Sequence, residues 1–216
     1  MVRLSTATVA ERLLIPAFVF FFFKLYPPRW IADPAARTAG AAGGCMLIRP
    51  AALSRIGGIA AIRGALIDDC TLAAAIKHSG GRIRLDVTQQ PQSLRDYAGW
   101  RDIWAMIART AFTQLHYSTA LLIGTVLGLG LTYLAPPLLA LFGSGWARGF
   151  GLAAWLAMSV AFLPTLRFYR LNPVWAPALP AIAAFYAAAT IGSAVNYWRG
   201  SGGQWKGRAQ ALEGAG

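Results

Sequence analysis

Charged side chains almost stop after His116. None occurs over residues 117–147, 149–166 or 171–198, and only Arg148, Arg167 and Arg170 stand between these runs. A hydrocarbon core about 30 Å thick takes about 20 apolar residues in a helix, and only a helix satisfies its own backbone over that distance. The pattern predicts three spans, at about 118–142, 149–166 and 174–197, with Pro136-Pro137 breaking or ending the first. Gly124 and Gly128 offer a small-residue pair for close helix packing. With no charge at mid-span, an ion pathway or proton relay has no candidate residue.

Before His116 the pattern is shorter and mixed. Residues 11–26 form an apolar stretch about half a span long, an interfacial or buried helix ended by Pro27-Pro28. Residues 29–38 read as a loop. Residues 43–48 read as a short buried strand closed by Arg49-Pro50, and Pro50 opens a helix that stops at Gly57-Gly58. The clearest helix runs from Asp68-Asp69 through Leu72-Ala73-Ala74-Ala75 to Lys77-His78, with Gly80 as its cap. Residues 82–87 alternate Arg, Ile, Arg, Leu, Asp, Val and predict a strand. Residues 93–117 set Trp100, Ile103, Trp104, Ile107 and Phe112 among Arg95, Arg101 and Arg109, an amphipathic helix suited to the membrane surface. The division is thus a mixed N-terminal part, 1–116, a transmembrane region, 117–199, and a flexible Gly-rich tail, 200–216.

Composition supports that division. The chain is 56% hydrophobic and 13% charged, with a mean hydropathy of +0.49, too apolar for an ordinary soluble domain. Its net charge is +12, and residues 1–116 hold 14 Lys/Arg against 7 Asp/Glu. On a membrane protein such an excess points to anionic headgroups at the cytoplasmic face, not to nucleic acid. The two cysteines, Cys45 and Cys70, suggest neither a disulfide framework nor a metal cluster. His78 and His116 have no partners at metal-ligand spacing, and a nucleophile elbow, a P-loop and a dinucleotide fingerprint are all missing from the sequence.

One constellation carries candidate chemistry. Asp68-Asp69 follows the apolar turn Ala65-Leu66-Ile67 at a helix start. Two readings stand side by side: a helix cap with a dipole partner, or a pair of working carboxylates. Arg109, about forty residues on, is either a headgroup-facing arginine or an anion clamp.

The run over residues 42–49, the Gly57-Gly58 pair, Ile67-Asp68-Asp69-Cys70-Thr71-Leu72-Ala73 and Lys77-His78-Ser79-Gly80-Gly81-Arg82-Ile83 together resemble the acceptor half of processive-type family 2 glycosyltransferases. More closely, Glu11-Arg12-Leu13-Leu14-Ile15-Pro16-Ala17-Phe18, Ala60-Ala61-Ile62-Arg63 and Arg109-Thr110-Ala111-Phe112-Thr113-Gln114-Leu115 are similar to the hopanoid-biosynthesis-associated glycosyltransferases. The resemblance implies an α/β remnant of a GT-A-like domain ahead of a helical transmembrane region. It makes Asp69 the general base that deprotonates the acceptor hydroxyl and Asp68 its acidic neighbour. Of the implied Gln-x-x-Arg-Trp element only Arg109 matches, where it would offset diphosphate charge; Gly43, Gly44 and Cys45 would line the acceptor site, though a buried strand with close backbone approach explains them equally well.

The implied reaction moves a sugar from a nucleotide-sugar donor to a lipid or lipid-linked acceptor with inversion. It is placed in a bacterial inner membrane, with a cytoplasmic N-terminal domain. The sequence has no Asp-x-Asp, so the ligands of the divalent metal (Mg or Mn) and the nucleotide contacts that the resemblance implies are missing, and the chain reads as N-terminally truncated. Alone, it is expected to transfer nothing. The alternative is a non-catalytic membrane remnant or interaction module.

Overall fold

The structure, a computed structural model, describes residues 1–202 and the backbone of Gln204–Trp205 and Arg208–Ala209. Most of the expected flexible tail, 200–216, lies outside the described residues. The described residues divide into two compact units, one built from Met1–Ser5 and Phe21–Asp96, the other from Thr6–Phe20 and the described residues from Tyr97 onward.

Helix α1 (Val9–Leu25) begins on a reciprocal box. Thr8 Oγ1 accepts the Glu11 N–H at 3.2 Å, and Glu11 Oε2 accepts the Thr8 and Ala7 N–H groups at 3.0 and 2.8 Å. Glu11 is fully buried, and its Oε1 takes the Tyr97 N–H at 2.8 Å. Leu14, Ile15 and Ala17 are buried too, so this half-length apolar helix is a core element and not a surface one.

In the first unit follow α2 (Pro28–Ala32), α3 (Pro50–Arg55), a 3-10 turn (Ile59–Ile62) and α4 (Asp68–His78). The expected α/β domain is not formed. Residues 43–48 are a turn followed by irregular chain, with residues 43–47 exposed, and residues 82–87 are irregular and form no ladder. A strand needs a partner for its backbone groups. The Gly43 N–H is instead drawn to the Asp69 carboxylate, and Cys45 N–H closes a turn on the Ala42 carbonyl at 3.4 Å. Residues 86–93 find scattered bonds along the first residues of the chain: Met1 to the Asp86 carbonyl, Thr88 to Met1, Arg3 to Pro91 and Ser93 to Arg3. Only the Arg3–Gln92 bridge forms, too little for a sheet. Among the described residues, the remaining pairing is Gln204–Trp205 with Arg208–Ala209.

The second unit holds α5 (Trp100–Gln114), α6 (Thr119–Leu129), a wide π turn (Gly130–Leu134), α7 (Ala135–Phe142), α8 (Gly145–Phe168), a 3-10 segment (Pro173–Ala178) and α9 (Leu179–Trp198). Among the described residues, three stretches are long and apolar enough to cross a membrane: Thr119–Phe142, Gly145–Phe168 and Pro173–Trp198. Pro136 and Pro137 do not end the first. They sit in the opening turn of α7, where missing N–H groups cost least, and the π turn before them absorbs the mismatch through an Ala135 to Gly130 bond. Gly124 and Gly128 face open space. The close approach is made instead by Gly151, where a Cβ would stand 2.6 Å from the Ala140 nitrogen and 2.7 Å from the Pro136 oxygen.

Candidate functional site

Helix α4 carries the candidate carboxylates at its first turn. Ile67, not Asp68, is the capping residue, so both aspartates lie inside the helix. Three alanines favour the helix, and Leu72, Ala73 and Ile76 give it a buried stripe. It ends in a tight motif: Gly80 takes φ 80°, its N–H reaches the Lys77 carbonyl at 3.0 Å, and the Gly81 N–H reaches Ile76 at 2.9 Å. Gly81 must be glycine, since a Cβ there would lie 2.7 Å from the Ile76 carbonyl oxygen.

Asp69 is half-buried and held on both oxygens. Oδ2 accepts the Gly43 N–H at 2.8 Å and Oδ1 accepts the Cys70 N–H at 2.7 Å. A carboxylate has about four acceptor positions, so capacity remains beyond these two bonds and the neighbouring Cys70 thiol. Asp68 is exposed, and its Oδ1 accepts the Asp69 N–H at 3.0 Å. The two aspartates therefore act in series, Asp68 fixing the backbone of Asp69.

The other predicted site residues divide. Gly43 is brought onto Asp69, with a Cβ position 3.4 Å from Oδ2. Gly44 and Cys45 continue the same turn and are exposed, and Gly44 faces Val2 instead of a carboxylate. Arg109 is half-buried on α5 and belongs to the other compact unit. Cys70 is buried beside Asp69. Burial pushes its thiol up from 9.0 to about 11, opposed by a backbone hydrogen bond at Ala41 and raised further by the Asp69 charge. At neutral pH it is a thiol and no nucleophile.

Two anchoring residues escaped the sequence reading. Lys77 looked like a dipole partner, yet its Nζ donates to the carbonyls of Trp30, Ile31 and Thr38 at 2.9, 3.0 and 2.7 Å. It thereby holds the segment that leads to Gly43. The structural signal for Glu11 in the sequence is the Thr8-x-x-Glu11 spacing of a capping box.

A cleft of about 1110 Å³ opens in the first unit, lined by Met46, Leu47, Ile48, Leu72, Ile76, Ile83 and Leu85 together with Arg49, Arg55, Arg82 and Arg84. Cys45 and Asp86 belong to its lining, and Asp68 and Asp69 do not. Among the described residues no three His, Cys, Asp or Glu side chains gather. The described residues therefore offer no ligand set that fits the divalent metal implied by the resemblance.

A family model described as glycosyl transferase family 21 matches residues 19–209. No curated protein and no solved structure matches the chain.

Proposed function

Because the chain belongs to glycosyl transferase family 21, we propose that it supplies the acceptor side of a transfer from a nucleotide sugar to a lipid or lipid-linked hydroxyl at the membrane. The match carries neither the family 2 assignment nor the hopanoid link; the latter rests on sequence resemblance alone. A glycosyltransferase implies a nucleotide-sugar donor, and the three long apolar helices agree with membrane association.

The observation that carries the proposal is the posture of Asp69: a carboxylate fixed through both oxygens by backbone N–H groups, with acceptor capacity beyond those two bonds. An alcohol is a weak nucleophile until a placed base takes its proton as it attacks. In this reading Asp69 takes that proton, the acceptor oxygen bonds to the anomeric carbon from the face opposite the leaving diphosphate, and the bond to the nucleotide diphosphate breaks with inversion. Asp68 orients the base through the Asp69 N–H. Arg109 offsets charge on the departing diphosphate with its fixed fork of donors. The cleft sets apolar side chains beside four arginines, of which Arg84 is ion-paired to the lining Asp86, and it suits an acceptor with an aliphatic part and an anionic head. The basic excess before Tyr117 supports a cytoplasmic placement in a bacterial inner membrane.

The test supplies the donor side. The chain is expressed in membranes together with a donor-binding half of the same family, and label from a panel of radioactive nucleotide sugars is followed into the organic extract. Lipid-extractable label that depends on this chain is the expected result. No label from any donor, with both parts folded and membrane-bound, favours the non-catalytic reading.

A further inference from the structure

The two ends of the apolar region meet. Tyr117, just ahead of α6, stacks on Tyr197 near the end of α9, with ring centroids 4.5 Å apart and planes 25° apart. Phe112 meets Tyr197 and Trp198 edge-on at 5.5 and 5.7 Å. Further along, Leu122 of α6 and Ala194 of α9 pack with Phe112 in one buried cluster, and α9 goes on to touch the π turn Gly130–Leu134. Helices α6 and α9 thus run antiparallel from a shared end. Three successive crossings would put Tyr117 and Tyr197 on opposite faces, about 30 Å apart. Rings in contact share a face.

We infer that the chain crosses the bilayer an even number of times between Tyr117 and Trp198: α6 and α7 go over, α8 returns, and α9 comes back to the face on which α6 began. The turn at Gly143-Ser144 joins α7 to α8 as a hairpin, with Gly151 against Ala140 and Pro136. The start of α9 is found at neither end of α8 but near its middle, where the Trp155 indole donates to the Pro177 carbonyl at 3.0 Å. The segment Pro173–Ala178 therefore dips back along α8 before α9 turns out again.

Irregular backbone at membrane depth must find internal partners. Here Pro173, Pro177 and Pro180 present no N–H, Asn172 Oδ1 accepts the Val174 N–H at 2.9 Å, and Trp155 covers one carbonyl. Burial separates the helices in the same way: 56% of the apolar window of Pro173–Trp198 is buried within the protein, against 17% and 22% for Thr119–Phe142 and Gly145–Phe168. Helix α9 sees protein, and the other two see lipid. Charge agrees as well. An even count leaves Arg167, Arg170 and Arg199 on the face of Tyr117, with Arg148 across the membrane.

The test places single cysteines in the full chain after replacing Cys45 and Cys70: His116→Cys, Ser144→Cys and Ser201→Cys, one at a time. Sealed membranes are treated with an impermeant maleimide before and after permeabilisation. Positions 116 and 201 are expected to label from one side and position 144 from the other. Position 201 labelling with 144 would restore three crossings, and 144 labelling with 116 would remove the hairpin; either overturns the inference. Since loss of Cys70 from the core can impair folding, a parallel set keeps both cysteines and fuses a fluorescent protein or alkaline phosphatase after Ser144 or after Gly216. Opposite reporters should be active at the two sites, and the same reporter at both contradicts the inference. A third measurement oxidises a Tyr117→Cys, Tyr197→Cys double variant. An intramolecular disulfide is expected, and its absence while both thiols still label would count against the shared face.

Discussion

The two compact units are held together by different means. In the first, polar side chains reach across to backbone: Lys77 to three carbonyls, Asp69 to two amides, Arg55 to the Ser79 carbonyl at 3.2 Å. In the second, helix faces pack, and several polar groups caught between them bond within the unit. Tyr186 donates to the Leu14 carbonyl at 2.8 Å, Thr190 to Tyr186 at 2.8 Å, and the Phe112 N–H to Ser193 Oγ at 3.0 Å. Apolar burial contributes about 25 cal/mol per Å² without direction, whereas a hydrogen bond adds only about 1 kcal/mol net yet fixes an orientation. The second unit is thus a stable body, and the first places atoms accurately with little reserve. The candidate base lies in the unit where a few bonds decide geometry.

That contrast can be broken by mutation. Phe112→Ala removes a fully buried ring at the meeting of α5, α6 and α9 and should cost about 3 to 5 kcal/mol. Thermal unfolding in detergent reads it, and a loss under about 1 kcal/mol would mean that packing does not hold this unit. Lys77→Met keeps the aliphatic stem and loses three charged hydrogen bonds, for an expected cost of about 2 kcal/mol. Its signature is local: amide exchange should quicken over residues 30–45 while α5 and α9 stay protected. Uniform exchange across both units would erase the distinction drawn between them. The smallest effect is that of Cys70. Its thiol keeps its proton to about pH 11 when folded, against 9.0 ordinarily. The stability this contributes is complete below pH 9 and lost as pH rises through about 11. Cys70→Ala should flatten that fall in an unfolding series from pH 8 to 11, and an unchanged slope would show that the thiol is not desolvated.

Legibility followed the range of the interactions. Local signals held: the stop of α1 before Pro27-Pro28, the opening of α3 at Pro50, the glycine ending of α4 and the three apolar stretches are all fixed by neighbouring residues. The strands were misread because a strand depends on a distant partner that periodicity does not reveal. Residues 82–87 alternate as a strand should, but what alternation sets face to face is Arg84 and Asp86, 2.7 Å apart and exposed, a pair worth little. Glycines misled for a similar reason. Spacing favoured Gly124 and Gly128, whereas contact uses Gly151 and also Gly192, which lies under Trp104. At the site, the aspartates were legible as a helix start. That Gly43 folds onto Asp69, and that Lys77 holds the intervening segment, depends on bonds across 26 to 47 residues of sequence, beyond any local pattern.

The most direct measurement compares Asp69→Asn and Asp68→Asn in initial transfer rate and thermal unfolding, with the donor half supplied. Asparagine at position 69 keeps the size of the side chain and an oxygen for one backbone N–H, so α4 should lose at most about 1 kcal/mol. It takes up no proton from the acceptor, and transfer should fall about a hundred- to ten-thousand-fold, roughly 3 to 5 kcal/mol of barrier. Asp68→Asn should slow transfer less, because Asp68 acts through the Asp69 backbone. Near-normal turnover in Asp69→Asn with loss in Asp68→Asn would move the base to Asp68; near-normal turnover in both would make the acidic pair a helix start and nothing more.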